Sequence, residues 1–179
     1  MNAASPILLW SVLALTACGK EATSVPAPAM SAELAPFFLD ADPGPYVGVA
    51  QARSSAPARE AVVEGRISAV VSGSGAFVLM DASLPYCGEK NKEDKCPTPW
   101  DYCCETADTR KLNSLTVEAR DGSGRLVASP GLGNLRECDL VAVRGELVKD
   151  EHGNVTLLAK GWFLRQQPAL PDYVQWPSR

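Results

Sequence analysis

Apolar and polar positions alternate from residue 61 onward with the two-residue period that is typical of β-strands. In one clear stretch, Leu115, Val117 and Ala119 alternate with polar neighbours, as in a strand with one buried face. No stretch keeps the 3.6-residue apolar period of an amphipathic helix, so we expect little helix. The pattern predicts five strands, over residues 61–71, 76–81, 115–120, 140–148 and 155–164.

The connections between these strands are of two kinds. Residues 72–75 and 150–154 are short, glycine-containing turns of the type that joins neighbouring strands. Residues 82–111, in contrast, form a long insertion between the second and third strands, and long loops in compact domains are commonly functional. The insertion is therefore the first place to look for a site.

The strand pattern resembles the OB-fold, a five-stranded Greek-key barrel. The resemblance lies in the Gly65-Arg66-Ile67 segment of the first strand, residues 77–81 of the second, and the final hairpin with residues 141–147 and 157–159. It covers residues 61–165 and implies an all-β domain of this class. It also implies ligand binding on the face of strands two and three and on the adjoining loops, where Phe77 and Arg120 lie.

The N-terminal segment is predicted to direct export. Its apolar run of eleven residues, 7–17, is too short to span a membrane but has the length of a signal-peptide core. The run ends in Leu15-Thr16-Ala17-Cys18, which resembles the bacterial lipobox, so residues 1–17 are expected to be removed and Cys18 to carry lipid. Gly19 after the cysteine favours the outer membrane, so the protein is expected in the cell envelope, facing the periplasm.

Residues 18–60 are predicted to be a lipid-anchored tether, because six of the fourteen prolines lie there among many Ala and Ser residues. Within the tether, residues 34–39 form an apolar island. We expect the island to lie against the folded domain, and a docking peptide for a partner is the alternative. Residues 166–179, with three prolines, are predicted to be an irregular tail.

Five cysteines follow the lipobox, and four of them lie in the long insertion: Cys87, Cys96, Cys103 and Cys104, with Cys138 just before the fourth strand. The favoured interpretation is structural disulfides, since an exported domain lies in an oxidising compartment. One bridge would join Cys87 or Cys96 to Cys103 or Cys104, and a second would use Cys138. No cofactor is expected under this interpretation.

Two other interpretations of the cysteines stay open. The thiolates of Cys96, Cys103 and Cys104, with Cys87 as a further candidate, would suit a Zn or Cu site, because soft sulfur ligands select those ions. Thiol-redox chemistry is the third interpretation, although no C-x-x-C motif occurs. The single histidine, His152, falls in a predicted turn and is expected to be a turn residue.

The aromatic and acidic residues of the insertion are the remaining ligand-binding candidates: Tyr86, Trp100, Asp101 and Tyr102. A net charge of −4 argues against nucleic acid as a partner, because phosphate binding needs an excess of Lys and Arg. With one histidine, a Ser-His-Asp or Cys-His site is hard to build, so no enzymatic activity is expected. We expect a membrane-anchored binding or scaffold protein for an envelope protein or small ligand.

Overall fold

The computed structural model describes Met1 and residues 30–177 of the 179-residue chain. The predicted lipobox and its lipidation site, Cys18, lie outside the described residues. Within the described part, no helix combines the length and the apolar character needed to cross a membrane.

The described chain is mostly β. Its six strands are β1 Val47–Gly48, β2 Ala58–Val71, β3 Ala76–Asp81, β4 Ser114–Ala119, β5 Leu140–Lys149 and β6 Val155–Gln166. Two short α-helices accompany them, α1 Val49–Ser55 and α2 Ala107–Leu112, with 3-10 turns at Ala35–Phe37 and Pro99–Asp101. All five predicted strands are present, and the first begins at Ala58, three residues earlier than expected.

The strands form one mixed sheet in the order β1-β2-β3-β4-β6-β5, and β2 also pairs with β5. The pairings of β2 to β6 therefore close a ring of hydrogen bonds. The β1–β2 and β4–β6 pairs are parallel and the other pairs are antiparallel. Closure leaves β2 hydrogen-bonded along both sides, which protects strand edges that would otherwise be exposed.

The core lies inside this ring and follows the alternation of the strands. Leu115, Val117 and Ala119 of β4 are buried, as their two-residue spacing predicts. Trp162 of β6 is fully buried at the centre of an aromatic group. Its ring stacks on Phe37 at 5.3 Å between centroids and meets Phe38 and Phe77 edge-on at 5.5 and 5.3 Å.

The N-terminal part of the fold differs from the expected tether. Residues 18–60 were expected to be extended chain, but β1 and α1 both lie in this range. Leu34, Val49 and Ala52 are fully buried, because Val49 and Ala52 are three residues apart on one helix face and Leu34 packs beside Gly75. The apolar island packs against the domain, as expected: the Leu39 N–H donates to the Trp162 carbonyl at 2.9 Å.

The C-terminal residues 167–177 contain no helix or strand. They nevertheless pack against the long insertion, where Val174 and Leu170 join a second apolar cluster with Trp100, Cys138 and Tyr86. This small cluster is separate from the core of the ring. It links the insertion to the tail and so positions the cysteine-rich loop.

Candidate functional site

The cysteine-rich loop, residues 82–113, connects β3 to β4. Its middle is fastened by a backbone hydrogen bond from the Cys87 N–H to the Pro99 carbonyl at 3.1 Å. The 3-10 turn Pro99–Asp101 follows, and Trp100 within it is buried. Tyr102 then takes a left-handed conformation with φ of 49° and is buried, while Cys103 is exposed in the turn that the Glu105 N–H closes on the Tyr102 carbonyl at 3.0 Å.

Three thiols meet at this turn. The sulfur atoms of Cys87, Cys103 and Cys104 all lie within 4.8 Å of one another, and the Cys87 and Cys103 sulfurs are 3.7 Å apart. Cys87 is buried, whereas Cys103 and Cys104 are exposed. The three residues therefore form a half-open cluster of soft ligands, which we call the thiol cluster.

The expected disulfides are not present among the five cysteines that the structure describes, since all five are free thiols. Cys138 lies outside the thiol cluster, because its side chain is buried with Trp100 and Val174 and its N–H donates to the Ile67 carbonyl at 2.7 Å. The prediction of a bridge to Cys138 is thus wrong for this structure.

Cys96 is also placed differently from the prediction. The predicted metal-ligand set contained Cys96, Cys103 and Cys104, but the described cluster contains Cys87 in place of Cys96. Cys96 is half-buried and lines a cavity of about 240 Å³ together with Cys87, Tyr86 and Lys92. A second cavity of about 280 Å³ is also lined by Cys87, together with Cys104, Lys90 and Asp94.

Without a bound cation, repulsion between neighbouring thiolates disfavours ionisation of more than one thiol in the cluster. The pKa of Cys104 is raised above its ordinary value, chiefly because a charged Cys87 would lie close to it. At Cys103, the hydrogen bond with Cys87 favours the thiolate, but desolvation and the neighbouring thiols outweigh it and raise the pKa. A bound cation would remove this mutual repulsion, because it favours the charged form of every nearby thiol.

The buried Cys138 is a contrasting case. Burial raises the pKa of its thiol to about 12, with the acidic neighbours Asp139 and Glu137 adding to the effect and Arg66 opposing it. A thiol with a pKa this high is neutral at physiological pH, and such buried cysteines are chemically inert. Cys138 therefore has a packing role.

The predicted ligand-binding residues divide between two regions. Tyr86, Trp100, Asp101 and Tyr102 all lie in the cysteine-rich loop, as does the thiol cluster. Asp101 is exposed, and Tyr102 is 1% exposed. Trp100 is 5% exposed and Tyr86 is half-buried, so Tyr86 and Asp101 present surface to a ligand, whereas Trp100 and Tyr102 pack inside the loop.

Phe77 and Arg120 are not part of that region. Phe77 is fully buried against Trp162, so the prediction that it contacts a ligand is wrong. Arg120 is exposed after β4, where its guanidinium pairs with Glu118 at 2.8 Å and donates to the Gly124 carbonyl at 2.7 Å. His152 lies in the turn between β5 and β6, as predicted, and its side chain is 77% exposed.

Two contributors to the loop were missed by sequence reasoning. Arg66 of β2 forms an ion pair with Glu89 at 2.9 Å, donates to the Ala82 carbonyl at 2.8 Å, and lies over the Tyr86 ring at 5.6 Å. Trp176 of the tail stacks on Trp100 with 5.2 Å between ring centroids, and the Arg136 guanidinium lies 4.2 Å from the Trp176 ring centre. These contacts join distant parts of the chain, and no local pattern indicates them.

Comparison of the chain with known protein families gave no match, and comparison with curated proteins gave no relative. The geometry of the cysteine-rich loop is therefore the observation that bears on function.

Proposed function

We propose that this protein is a lipid-anchored envelope protein that binds one soft metal ion, Zn²⁺ or Cu⁺, through Cys87, Cys103 and Cys104. The observation that carries the proposal is the convergence of three thiol sulfurs within 4.8 Å of one another. Thiolate is the ligand type that selects zinc and cuprous ions over hard cations such as Mg²⁺ and Ca²⁺.

The spacing of the sulfurs supports this proposal. A zinc–sulfur bond is about 2.3 Å long, so two thiolates on one tetrahedral zinc ion lie about 3.8 Å apart. The Cys87 and Cys103 sulfurs are separated by 3.7 Å, close to that value. The third sulfur, within 4.8 Å of both, needs to move by no more than about 1 Å, which a side-chain rotation achieves.

The exposure of the cluster indicates what such a site would do. Cys103 and Cys104 face solvent, so an ion can enter and leave by exchange of ligands at these two sulfurs. A structural zinc site is usually closed, whereas this one is open on one side. We therefore propose binding and handling of a metal ion, without an enzymatic reaction.

The proposal also includes a fold class and a cellular location. The ring β2-β3-β4-β6-β5, with its parallel β4–β6 pair, supports an OB-like Greek-key barrel with the cysteine-rich loop as its recognition surface. The lipobox supports a lipid anchor at Cys18 and a position at the outer membrane facing the periplasm. A tethered domain would meet its metal ion, or an envelope protein that supplies the ion, near that membrane.

Metal content tests the proposed function. The full chain is expressed with export, extracted in detergent under reducing conditions, exposed to Zn²⁺ or Cu⁺, and analysed for bound metal after gel filtration. We expect one ion per chain for the wild type and for Cys138→Ala, and loss of stoichiometric binding for Cys103→Ser. Wild-type protein without bound zinc or copper would refute the proposal, as would equal metal content in Cys103→Ser.

The lipid anchor is tested separately. Cys18→Ala is expected to leave the protein as an uncleaved precursor or as a soluble form. Unchanged incorporation of labelled fatty acid in this variant would contradict lipidation at Cys18.

A further inference from the structure

The thiol cluster supplies three ligands and is open on one side, whereas a tetrahedral zinc ion takes four, so a fourth protein ligand would close the site after the ion has entered. A fourth ligand from the protein must come from a side chain close to the open side of the cluster. Of the other described thiols and imidazoles, Cys138 is buried beneath Trp100 and Val174, and His152 lies exposed in the β5–β6 turn. Cys96 remains.

Cys96 shares a cavity with a member of the thiol cluster. Both Cys96 and Cys87 line the space of about 240 Å³ between the loop and the C-terminal tail. Cys96 is half-buried there, so its thiol is reachable from this cavity. Cys87 and Cys96 thus border the same open space.

The segment that carries Cys96 is irregular, and its beginning is held to β2 by the Arg66–Glu89 ion pair at 2.9 Å. Residues 88–98 contain no helix or strand. Two hydrogen bonds hold this segment to the tail, from the Gln175 N–H to the Pro97 carbonyl at 2.8 Å and from the Tyr173 hydroxyl to the Asp94 carbonyl at 3.4 Å. A shift of Cys96 toward the cluster breaks no regular secondary structure.

The charges beside the cluster suit four thiolates. Zinc with four thiolates carries a net charge of −2, and cationic side chains nearby offset such a charge. Lys92 lines the cavity shared by Cys87 and Cys96, which has no acidic residue in its lining, whereas the neighbouring cavity has Lys90 together with the acidic Asp94 and Glu105. The positive charge therefore lies on the side of the cluster that carries Cys96.

We infer that Cys96 is the fourth ligand and that the ion bound by Cys87, Cys96, Cys103 and Cys104 is a tetrahedral divalent cation, Zn²⁺. This inference rests on the proposed function and selects one of its two metals. The bound ion would cross-link the loop at four points along residues 87–104. Binding would thereby order the segment that contacts the tail.

Cobalt titration of the full chain in detergent tests the inference, because Co²⁺ adopts the same tetrahedral geometry and its sulfur charge-transfer absorbance grows with the number of thiolate ligands. Cys96→Ser is expected to lower that absorbance per bound ion by about one quarter, since three of four thiolates remain. Its Zn²⁺ affinity, measured by competition with a chelator, should fall at least about tenfold, the lower end of the effect seen for residues that only support a ligand. Cys138→Ala should match the wild type in both measurements.

A second variant distinguishes the loss of a metal ligand from a loss of folding. Cys96→His retains a ligand at the position, so it should recover affinity while the charge-transfer absorbance stays at the three-thiolate level. Equal absorbance and affinity for wild type and Cys96→Ser would overturn the role of Cys96 and leave the three-thiolate site standing. If the wild type binds Cu⁺ but neither Co²⁺ nor Zn²⁺, the inference of a tetrahedral zinc site with Cys96 is also overturned. If the wild type binds none of the three ions, the proposed function itself is refuted.

Discussion

Trp176, near the C-terminus, stacks on Trp100 of the cysteine-rich loop with 5.2 Å between ring centroids and 17° between ring planes. The Arg136 guanidinium covers the same Trp176 ring at 4.2 Å. Three segments that are far apart in the chain are thereby fastened beside the thiol cluster. The tail is a structural part of the site although it has no regular secondary structure.

Trp176→Ala should release the tail from the loop. A stacked aromatic pair contributes about 0.5–1.5 kcal/mol beyond its buried area, and an exposed cation–π contact adds about 0.5–1 kcal/mol. We expect faster proteolytic cleavage of residues 167–177 and a loss of about 1–2 kcal/mol in the free energy of unfolding. Tyr173→Phe, which removes only the 3.4 Å hydrogen bond to Asp94, is the control, and equal cleavage rates for the two variants would contradict the role of the stack.

Leu34→Ala should destabilise the domain substantially, because Leu34 is fully buried in the main core although it precedes every strand. Truncation of a buried leucine costs about 2–5 kcal/mol. Denaturant unfolding of Leu34→Ala and of the exposed neighbour Glu33→Ala measures the difference. If Leu34→Ala unfolds like Glu33→Ala, the segment before β1 is a tether and not part of the fold.

Gly145→Ala should be among the most damaging single substitutions in the ring. A Cβ atom on Gly145 of β5 would lie 2.2 Å from the Leu158 carbonyl oxygen of β6, so the two strands must separate. We expect a loss of about 3 kcal/mol or more in the free energy of unfolding. Gly122→Ala is the matched control, because a Cβ there meets nothing within 4 Å, and its unfolding curve should overlay that of the wild type.

Tyr102→Phe should stabilise the protein. The Tyr102 hydroxyl is buried and has no hydrogen-bond partner among the described residues. An unsatisfied buried polar group costs about 1–3 kcal/mol, so its removal should raise the free energy of unfolding by about 1 kcal/mol. A lower melting temperature for Tyr102→Phe would show that the hydroxyl contributes a favourable interaction.

Protonation of Asp81 in acid should lower the free energy of unfolding. Burial raises the pKa of Asp81, but hydrogen bonds from the Ala50 and Ser83 N–H groups, both 2.9 Å long, outweigh burial and hold the pKa below 3.8. A lowered pKa in the folded state means that the ionised form stabilises the fold. This stability is present above about pH 4 and is lost as the pH falls through the folded pKa.

Unfolding free energies measured against pH for wild type and Asp81→Asn test this linkage. The variant should be less stable at neutral pH by about 1 kcal/mol, because a hydrogen bond to a neutral group is weaker than one to a charged group. Its stability should also decline less steeply below about pH 4 than that of the wild type. Asp101→Asn changes an exposed acid in the loop and should keep the wild-type acid profile.

The strands were predictable because their signal is local. In β4, every second residue from Leu115 to Ala119 is apolar and buried, so the two-residue period alone indicates both strand and core face. α1 was not predicted, since only seven residues form it and its two buried positions, Val49 and Ala52, are too few to show a helical period. Its start depends on the Asp81 carboxylate, which accepts from Ala50 across 31 residues of sequence.

Sequence by itself determined which residue types are available for chemistry: five thiols after Cys18, four of them in one long loop, and a single histidine in a turn. The tertiary structure decided which thiols meet. Cys103 and Cys104 lie in the turn that follows the left-handed Tyr102 and meet Cys87 there, while Trp100 and Val174 bury Cys138 in a separate cluster. Side chains in an irregular loop are brought together by contacts with distant strands and with the tail, and such contacts leave no periodic pattern along the chain.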